Sequence, residues 1–323
     1  MDVDTTLPLS RHVPDLSEFF PPPDDLTWLR SSAAISVTAE PFMDRHQLAP
    51  NSTYRAKIVS ALPHGGFLSY VYPDVDQDAA QLAVDLIGWF MVFDDLHVEA
   101  AMGNPGTDVV LRIFGLLGVL DEQAVEPGPG FEAALYDLLE RCTRFTVQQQ
   151  TAIRAALYGI LMAWLWESQL DTRRTWPSLQ TYATVRRHTA FAAIYPALIE
   201  PLGDIAISGP ARQDANLSQL KEAMINLNSW FNDVMSFRKE QREQGGIPIS
   251  LPGVLMRERG CSLDESLTLA KQMIHDEAEN AVAAIAELTQ SPVDSLRSYA
   301  ACAERTFRAT TCWYASLAKA RYS

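Results

Sequence analysis

The residues from Leu82 to Val92 are apolar on nearly every face of the helix that they predict. A helix that is hydrophobic all round is buried in a larger protein, so this stretch constrains the fold strongly. The adjacent carboxylates Asp94 and Asp95 follow it, and Glu99 comes four residues later. Adjacent carboxylates at the end of a buried helix repel each other unless a cation lies between them. The sequence therefore predicts a cation site at the end of a buried helix.

A second set of oxygen donors lies late in a long helical segment. Asn232, Ser236 and Glu240 are spaced four and four, so they share one gently spiralling helix face over roughly 12 Å. A solvated polar stripe would explain three isolated residues, but the flanking residues are too apolar for a free surface, and a buried polar stripe needs partners. An amide oxygen, a hydroxyl and a carboxylate suit Mg²⁺, which leaves places for water and substrate phosphate. We expect both donor sets to face one cavity and to bind a diphosphate through Mg²⁺.

These motifs resemble those of the class I terpene synthases, in particular the single-domain microbial type. The aspartate-rich motif of that family, DDxxxE, corresponds here to Asp94, Asp95 and Glu99. Its NSE triad, in the form NDxxSxxKE, corresponds to Asn232, Ser236 and Glu240. Its C-terminal Arg-Tyr pair corresponds to Arg321 and Tyr322. The resemblance spans residues 94 to 322. It implies an all-α, single-domain helical bundle around a central cavity, which binds three Mg²⁺ ions and a prenyl diphosphate.

The resemblance also implies roles for individual side chains. The candidates for contact with the diphosphate are Arg186, Arg187, Lys239, Arg321 and Tyr322. The family's diphosphate-sensing arginine falls on the Arg186-Arg187 doublet, and the usual spacing favours Arg186, but both stay open. The candidates for the cavity wall, where aromatic faces stabilise carbocations by cation–π attraction, are Phe90, Phe191 and Trp313.

Two further expectations concern the geometry near these residues. In an α-helix Asp95 and Glu99 share a face while Asp94 points about 100° away, so the three cannot contribute equally. Family experience favours the first aspartate, Asp94, as the leading ligand. The family also often has a glycine at a helix break shortly after the sensing arginine, and residues 189–191 here are Thr-Ala-Phe, which departs from that pattern.

The pattern along the chain predicts helices without strands. Residues 1–25 are proline-rich and predict an irregular N-terminal arm, and residues 26–323 predict one α-helical domain. Asp76 or Asp78 predicts a helix N-cap rather than the DxDD acid motif of proton-initiated cyclases, because Gln77 stands where that motif needs aspartate. A break is expected near Pro196. The predicted helical segments are 53–68 with an interruption at 63–66, 77–102, 107–120, 130–146, 148–169, 177–199, a long helix ending at Gly245-Gly246, 263–289 and 292–320.

Composition limits the partners and the compartment. A net charge of −14 over 323 residues argues against nucleic acid and anionic membranes, although bound metal still permits an anionic substrate. The acidic N-terminus predicts that there is no signal peptide. The sequence has no run of about 18 apolar residues, so no membrane span is expected. A cytoplasmic protein is expected, and a homodimer is compatible with the sequence. The cysteines have no CxxC spacing and predict reduced core thiols; they are Cys142, Cys261, Cys302 and Cys312.

The favoured function is a class I terpene cyclase that makes a cyclic hydrocarbon or alcohol. Farnesyl diphosphate is the expected substrate on the family's base rate. A chain-elongating isoprenyl diphosphate synthase shares the fold and the metal chemistry, but it needs a second aspartate-rich cluster where Asn232 stands. A non-catalytic helical binding protein has no need for acidic clusters in two matched helices.

Overall fold

The computed structural model describes residues 15–23, 35–101, 107–122, 128–170 and 175–316. No strand occurs within these ranges, so the all-α prediction is confirmed. Short 3₁₀ turns lie at Leu16–Glu18 and Ala211–Gln213, and a π turn at Asp94–Val98 joins α4 to α5. The helices in chain order are α1 Glu40–Arg45, α2 Ser52–Ala61, α3 Gly65–Val71, α4 Gln77–Phe93, α5 Glu99–Ala101, α6 Thr107–Leu120, α7 Phe131–Cys142, α8 Val147–Glu167, α9 Leu179–Thr189, α10 Ile194–Leu202, α11 Ala215–Gln244, α12 Leu251–Arg259, α13 Leu263–Thr289 and α14 Asp294–Ser316.

The described residues form two compact units. The α4 unit contains α1 to α8 and the residues of α10 from Ala197 onward. The α11 unit contains the turn at Leu16–Glu18, the residues of α10 up to Pro196, and α9 and α11 to α14. None of the helices within the described ranges is long and apolar enough to span a membrane.

Helix α4 forms the centre of the α4 unit, packed against α1, α2 and α7. Its residues from Leu82 to Phe93 are all buried, which confirms the prediction of a helix buried on nearly every face. At Gly88 an added Cβ would lie only 2.9 Å from the Met43 side chain of α1, so the glycine permits this close packing. Asp76 caps the helix by accepting the backbone N–H groups of Asp78 and Ala79, which confirms one of the two expected caps.

Helix α11 is the longest element of the α11 unit, and it packs along α13 and against α9, α12 and α14. Helix α13 buries a stripe at a helical period, formed by Ala270, Ile274, Ala278, Ala281 and Ile285. Helix α11 ends at Gly245, which has φ 66° and adopts the left-handed conformation that follows many helices. The expected stop at Gly245 is therefore confirmed.

The expected break near Pro196 lies between α9 and α10. Helix α9 ends at Thr189 and α10 begins at Ile194, so the break comes just before Pro196. Pro196 lies in the first turn of α10, where its missing N–H removes no hydrogen bond within the helix. The turn itself is made at Phe191, which is buried and has φ 59°. A positive φ is unusual for a bulky residue and is normally left to glycine, so surrounding packing must hold this conformation.

Candidate metal centre

The three predicted triad residues lie on α11, with Asn232 and Glu240 half-buried and Ser236 only 4% exposed. The Ser236 hydroxyl has no hydrogen-bond partner among the described residues. Serines inside a helix usually donate to the carbonyl four residues back. Ser229, two turns earlier on the same helix, does so, with its Oγ 2.8 Å from the Ile225 oxygen. Within the described part of the chain the Ser236 oxygen is thus buried and unpaired, and it lies between an amide and a carboxylate on the helix face. These three oxygen ligands fit a small hard cation such as Mg²⁺.

The arginine doublet separates into two different environments. Arg186 Nη2 donates to Asn232 Oδ1 at 3.1 Å, and its side chain is 14% exposed. Arg187 instead forms an ion pair of 3.3 Å with Glu222; the Arg187 side chain is half-buried and the Glu222 side chain is exposed. The structure therefore brings Arg186 to the triad and leaves Arg187 in a partly exposed pair with Glu222, whose contribution to stability is small.

A fully buried carboxylate, Asp233, holds Arg186 in this place. Asp233 Oδ1 accepts from Nε of Arg186 at 2.8 Å and lies 2.7 Å from Nη2. Its Oδ2 accepts from the Tyr182 hydroxyl and from the backbone N–H of Leu251 at 3.0 Å. Burial raises the pKa of Asp233, and Arg186, Tyr182 and the Leu251 amide oppose this shift. Neither Asp233 nor the role of Tyr182 is predicted from the sequence. The signals that could have indicated them are an acid beside Asn232 and a tyrosine four residues before Arg186.

Among the other candidates for contact with the diphosphate, the structure describes Lys239 on α11. Lys239 is half-buried and precedes Glu240 on α11. Its neighbour Arg238 donates to Gln241 Oε1 at 3.0 Å. The predicted contacts from Arg321 and Tyr322 lie outside the described residues.

The two aspartates of the aspartate-rich motif lie in the π turn Asp94–Val98, and Glu99 is the first residue of α5. The N–H of Glu99 bonds to the carbonyl of Asp94, five residues back. The wider turn brings residues five apart, such as Asp94 and Glu99, closer in angle than an α-helix does, whereas the adjacent Asp94 and Asp95 still point in different directions. Asp94 and Asp95 are half-buried, Glu99 is exposed, and Asp95 Oδ2 accepts from the Tyr54 hydroxyl at 3.1 Å. Single π turns occur often at functional sites.

The three aromatic candidates differ in their surroundings. Phe90 is buried and stacks on Trp164 with ring centroids 5.0 Å apart. Phe191 is buried at the α9–α10 break and meets Tyr195 edge to face at 6.5 Å. Trp313 is half-buried on α14 and contacts the ring of Tyr314 edge to face at 4.9 Å.

Comparison with known proteins identifies the class. The model of terpene synthase family 2, C-terminal metal binding, matches residues 85–280. In fold, the chain is similar to the crystal structure of 2-methylisoborneol synthase from Streptomyces coelicolor A3(2) with Mg²⁺ and 2-fluoroneryl diphosphate. The TM-score is 0.78 and the identity 17%, over 94% of this chain and 95% of that one. The fold is thus that of the class I terpene synthases.

Two curated relatives indicate the range of activities around this chain. A labda-7,13(16),14-triene synthase from Streptomyces clavuligerus is 35% identical over 240 residues, which are 73% of this chain and 69% of the relative. A (+)-T-muurolol synthase from Roseiflexus castenholzii, which cyclises (2E,6E)-farnesyl diphosphate, is 29% identical over 65% of this chain and 64% of its own. The chain belongs to terpene synthase family 2. It is a lyase of the class that cyclises prenyl diphosphates.

Proposed function

We propose that the α11 unit binds the diphosphate of a prenyl substrate at Asn232, Ser236 and Glu240, through Mg²⁺, and at Arg186. The observation that carries this proposal is the buried Ser236 hydroxyl, which has no hydrogen-bond partner among the described residues. An unpaired buried hydroxyl costs about 1–3 kcal/mol. Such a cost is compensated if the Ser236 oxygen binds Mg²⁺ in the working enzyme.

The residues then have separate tasks in breaking the carbon–oxygen bond. Bound Mg²⁺ supplies the positive charge that stabilises the departing diphosphate. Arg186 supports the same charge by donating N–H groups to phosphate oxygens, because its contact with Asn232 already brings its guanidinium to the triad. Arg187, which pairs with Glu222, is not assigned this task. We propose further diphosphate contacts from Lys239, Arg321 and Tyr322, and a complement of three Mg²⁺ ions.

The acidic set of the α4 unit is proposed as a second group of Mg²⁺ ligands. It consists of Asp94, Asp95 and Glu99. The π turn supports this role because it brings Asp94 and Glu99, five residues apart, closer in angle than an α-helix would. The bond from Tyr54 fixes one of the Asp95 oxygens. Clustered carboxylates of this kind repel one another unless a cation is bound, so Mg²⁺ stabilises their arrangement.

Aromatic faces stabilise the carbocation that remains after ionisation. Phe90, Phe191 and Trp313 stay the proposed cavity wall, as the family resemblance implies. Trp313 keeps more exposed ring surface than the other two, which are almost completely buried. A dimeric state, also compatible with the family resemblance, is part of the same proposal.

A C20 diphosphate is the proposed substrate, with farnesyl diphosphate as the alternative. The relative at 35% identity makes a labdatriene, a bicyclic C20 hydrocarbon, whereas the farnesyl-cyclising relative is 29% identical. Loss of diphosphate and one proton from a labdadienyl diphosphate adds one double bond to two and gives a triene. Asp76 is not available as the acid that would build the two rings, because it caps α4 and pairs with Arg144 at 2.8 Å. The bicyclic diphosphate would therefore be supplied ready-made.

The test is incubation with Mg²⁺ and each of four substrates, followed by gas chromatography with mass spectrometry. The substrates are geranyl, farnesyl, geranylgeranyl and labdadienyl diphosphate. We expect the labdadienyl compound to give a labdatriene at the highest kcat/KM. Turnover of farnesyl diphosphate alone would contradict the C20 assignment but keep the reaction class, and release of diphosphate from none of the four would contradict the function.

Variants test the metal ligands separately from the fold. Asn232→Ala or Asp94→Ala should abolish product while the helical circular dichroism stays unchanged. Asn226→Ala is the matched control, because Asn226 lies on the same helix and donates to Glu277 at 3.2 Å. Its activity should remain close to that of the parent. Full activity of the Asn232 or Asp94 variant would contradict the ligand assignment.

A further inference from the structure

The contacts of Asp233 reach three helices of the α11 unit. Tyr182 and Arg186 lie one turn apart on α9, Asp233 lies on α11, and Leu251 is the first residue of α12. Asp233 Oδ1 receives two guanidinium nitrogens of Arg186, while Oδ2 receives the Tyr182 hydroxyl and the Leu251 amide. Every acceptor position of the carboxylate is therefore used, as a buried charge requires.

This arrangement determines where the other edge of the Arg186 guanidinium points. A guanidinium is a rigid planar fork, so fixing its Nε–Nη2 edge also fixes the direction of the opposite edge. On that edge, Nη2 lies 3.1 Å from Asn232 Oδ1 and Nη1 lies 3.4 Å from Thr189 Oγ1. A lysine or an unanchored arginine would have no such fixed direction. Asp233 thus aims Arg186 at the first residue of the triad.

We propose that Asp233 is a positioning residue for diphosphate binding, which fixes the guanidinium of Arg186 beside Asn232 so that it meets the bound diphosphate in the correct orientation. This inference rests on the proposed function of Arg186 as a diphosphate contact. Preorganised donors are more effective than mobile ones because no reorganisation is needed when the anion binds. Tyr182 supports the arrangement by donating to the second oxygen of the same carboxylate.

A purely structural role is the competing explanation. Asp233 accepts the first N–H of α12, where the N-cap residue Ser250 makes no side-chain cap bond, so it stabilises the start of that helix. A structural role alone predicts that Asp233 variants lose thermal stability but retain diphosphate affinity. The two roles therefore differ in a binding measurement made without turnover.

The experiment is a double-mutant cycle read out as the affinity for inorganic pyrophosphate in the presence of Mg²⁺, measured by calorimetry. Asp233→Asn should weaken binding about tenfold, and Arg186→Met should weaken it at least as much. In the Asp233→Asn/Arg186→Met double variant the loss should equal that of Arg186→Met alone, because Asp233 acts through Arg186. Asp233→Glu, which keeps the charge, should recover part of the affinity.

Glu222→Gln is the matched control, because Glu222 also lies on α11 and pairs with an arginine of α9, at 3.3 Å. It should leave the pyrophosphate affinity unchanged, and a comparable loss there would overturn the proposal. An unchanged affinity in Asp233→Asn, with a weakened Arg186→Met, would overturn the positioning role only. An unchanged affinity in Arg186→Met would overturn the proposed function of Arg186 as well.

A second variant serves if Asp233→Asn does not fold, as judged by circular dichroism. Tyr182→Phe removes one of the four donors and leaves the carboxylate and guanidinium in contact. The pyrophosphate affinity should fall about threefold, because one neutral hydrogen bond to a charged group is lost. An affinity equal to that of the parent would overturn the positioning role.

Discussion

Replacing Ser236 by alanine should separate stability from function. The hydroxyl is buried and has no hydrogen-bond partner among the described residues. An unsatisfied buried polar group costs about 1–3 kcal/mol, and the change removes a single oxygen, which leaves a very small void. The metal-free variant should therefore gain about 1 kcal/mol in free energy of unfolding, or roughly 2 °C in Tm for a chain of this size.

The same substitution should weaken the binding of Mg²⁺ with inorganic pyrophosphate. One of the three proposed oxygen ligands on α11 is lost, and even residues that only support metal ligands change affinity by 10–100-fold, so a loss of at least about tenfold is expected. Stability is measured by urea unfolding in the presence of EDTA, and affinity by calorimetry. A stabilising substitution that removes binding is the pattern of a residue kept for function.

Ser229→Ala is the control for this prediction. Ser229 is buried on the same helix, but its hydroxyl is bonded to the Ile225 carbonyl at 2.8 Å. Its second, longer contact, at 3.5 Å, is with the backbone carbonyl of Arg186 and not with the guanidinium. Its removal should lower the free energy of unfolding by about 0.5–1.5 kcal/mol and leave the Mg²⁺–pyrophosphate affinity unchanged. The reasoning would be refuted if Ser236→Ala lost stability as Ser229→Ala does, or if it bound Mg²⁺ and pyrophosphate as the parent does.

Two further predictions concern the fold. A Cβ on Gly65 would lie 1.7 Å from the Ile35 backbone oxygen, so Gly65→Ala should lower the free energy of unfolding by about 1–3 kcal/mol. The control Gly246→Ala, at a position with open space around it, should change that free energy by less than about 0.5 kcal/mol. Equal effects of the two substitutions in urea unfolding would contradict this prediction. Burial raises the pKa of the Cys142 thiol from 9.0 to about 11. The neutral Cys142 thiol therefore makes its full contribution to the free energy of unfolding below pH 9. That contribution is lost as the pH rises through 11, because the buried thiolate is disfavoured. At pH 8 a thiol reagent should label the less buried Cys261 before Cys142 in the native protein, and equal rates, tested by peptide mass spectrometry, would contradict the reasoning.

The sequence by itself determined the helical class and most helix positions, and it indicated the proposed donor sets. These are local properties: apolar residues from Leu82 to Val92 require burial on every face, and spacings of four place Asn232, Ser236 and Glu240 on one face. The end of α11 at Gly245 is equally local, since the left-handed conformation at a helix end favours glycine. The reduced state of the cysteines also agrees with the structure, which contains no disulfide among the described residues.

Only the tertiary structure shows that Arg186, and not Arg187, contacts Asn232 of the triad. Adjacent residues on a helix point about 100° apart, and the one that meets the triad depends on how α9 packs against α11, which periodicity within α9 does not contain. The π turn at Asp94 is also visible only in the structure, because a single hydrogen bond between residues five apart requires no particular residue types. Asp233 anchors Arg186, and Ser236 has no hydrogen-bond partner within the described part of the chain. Both features depend on side chains distant in sequence, so packing alone determines them.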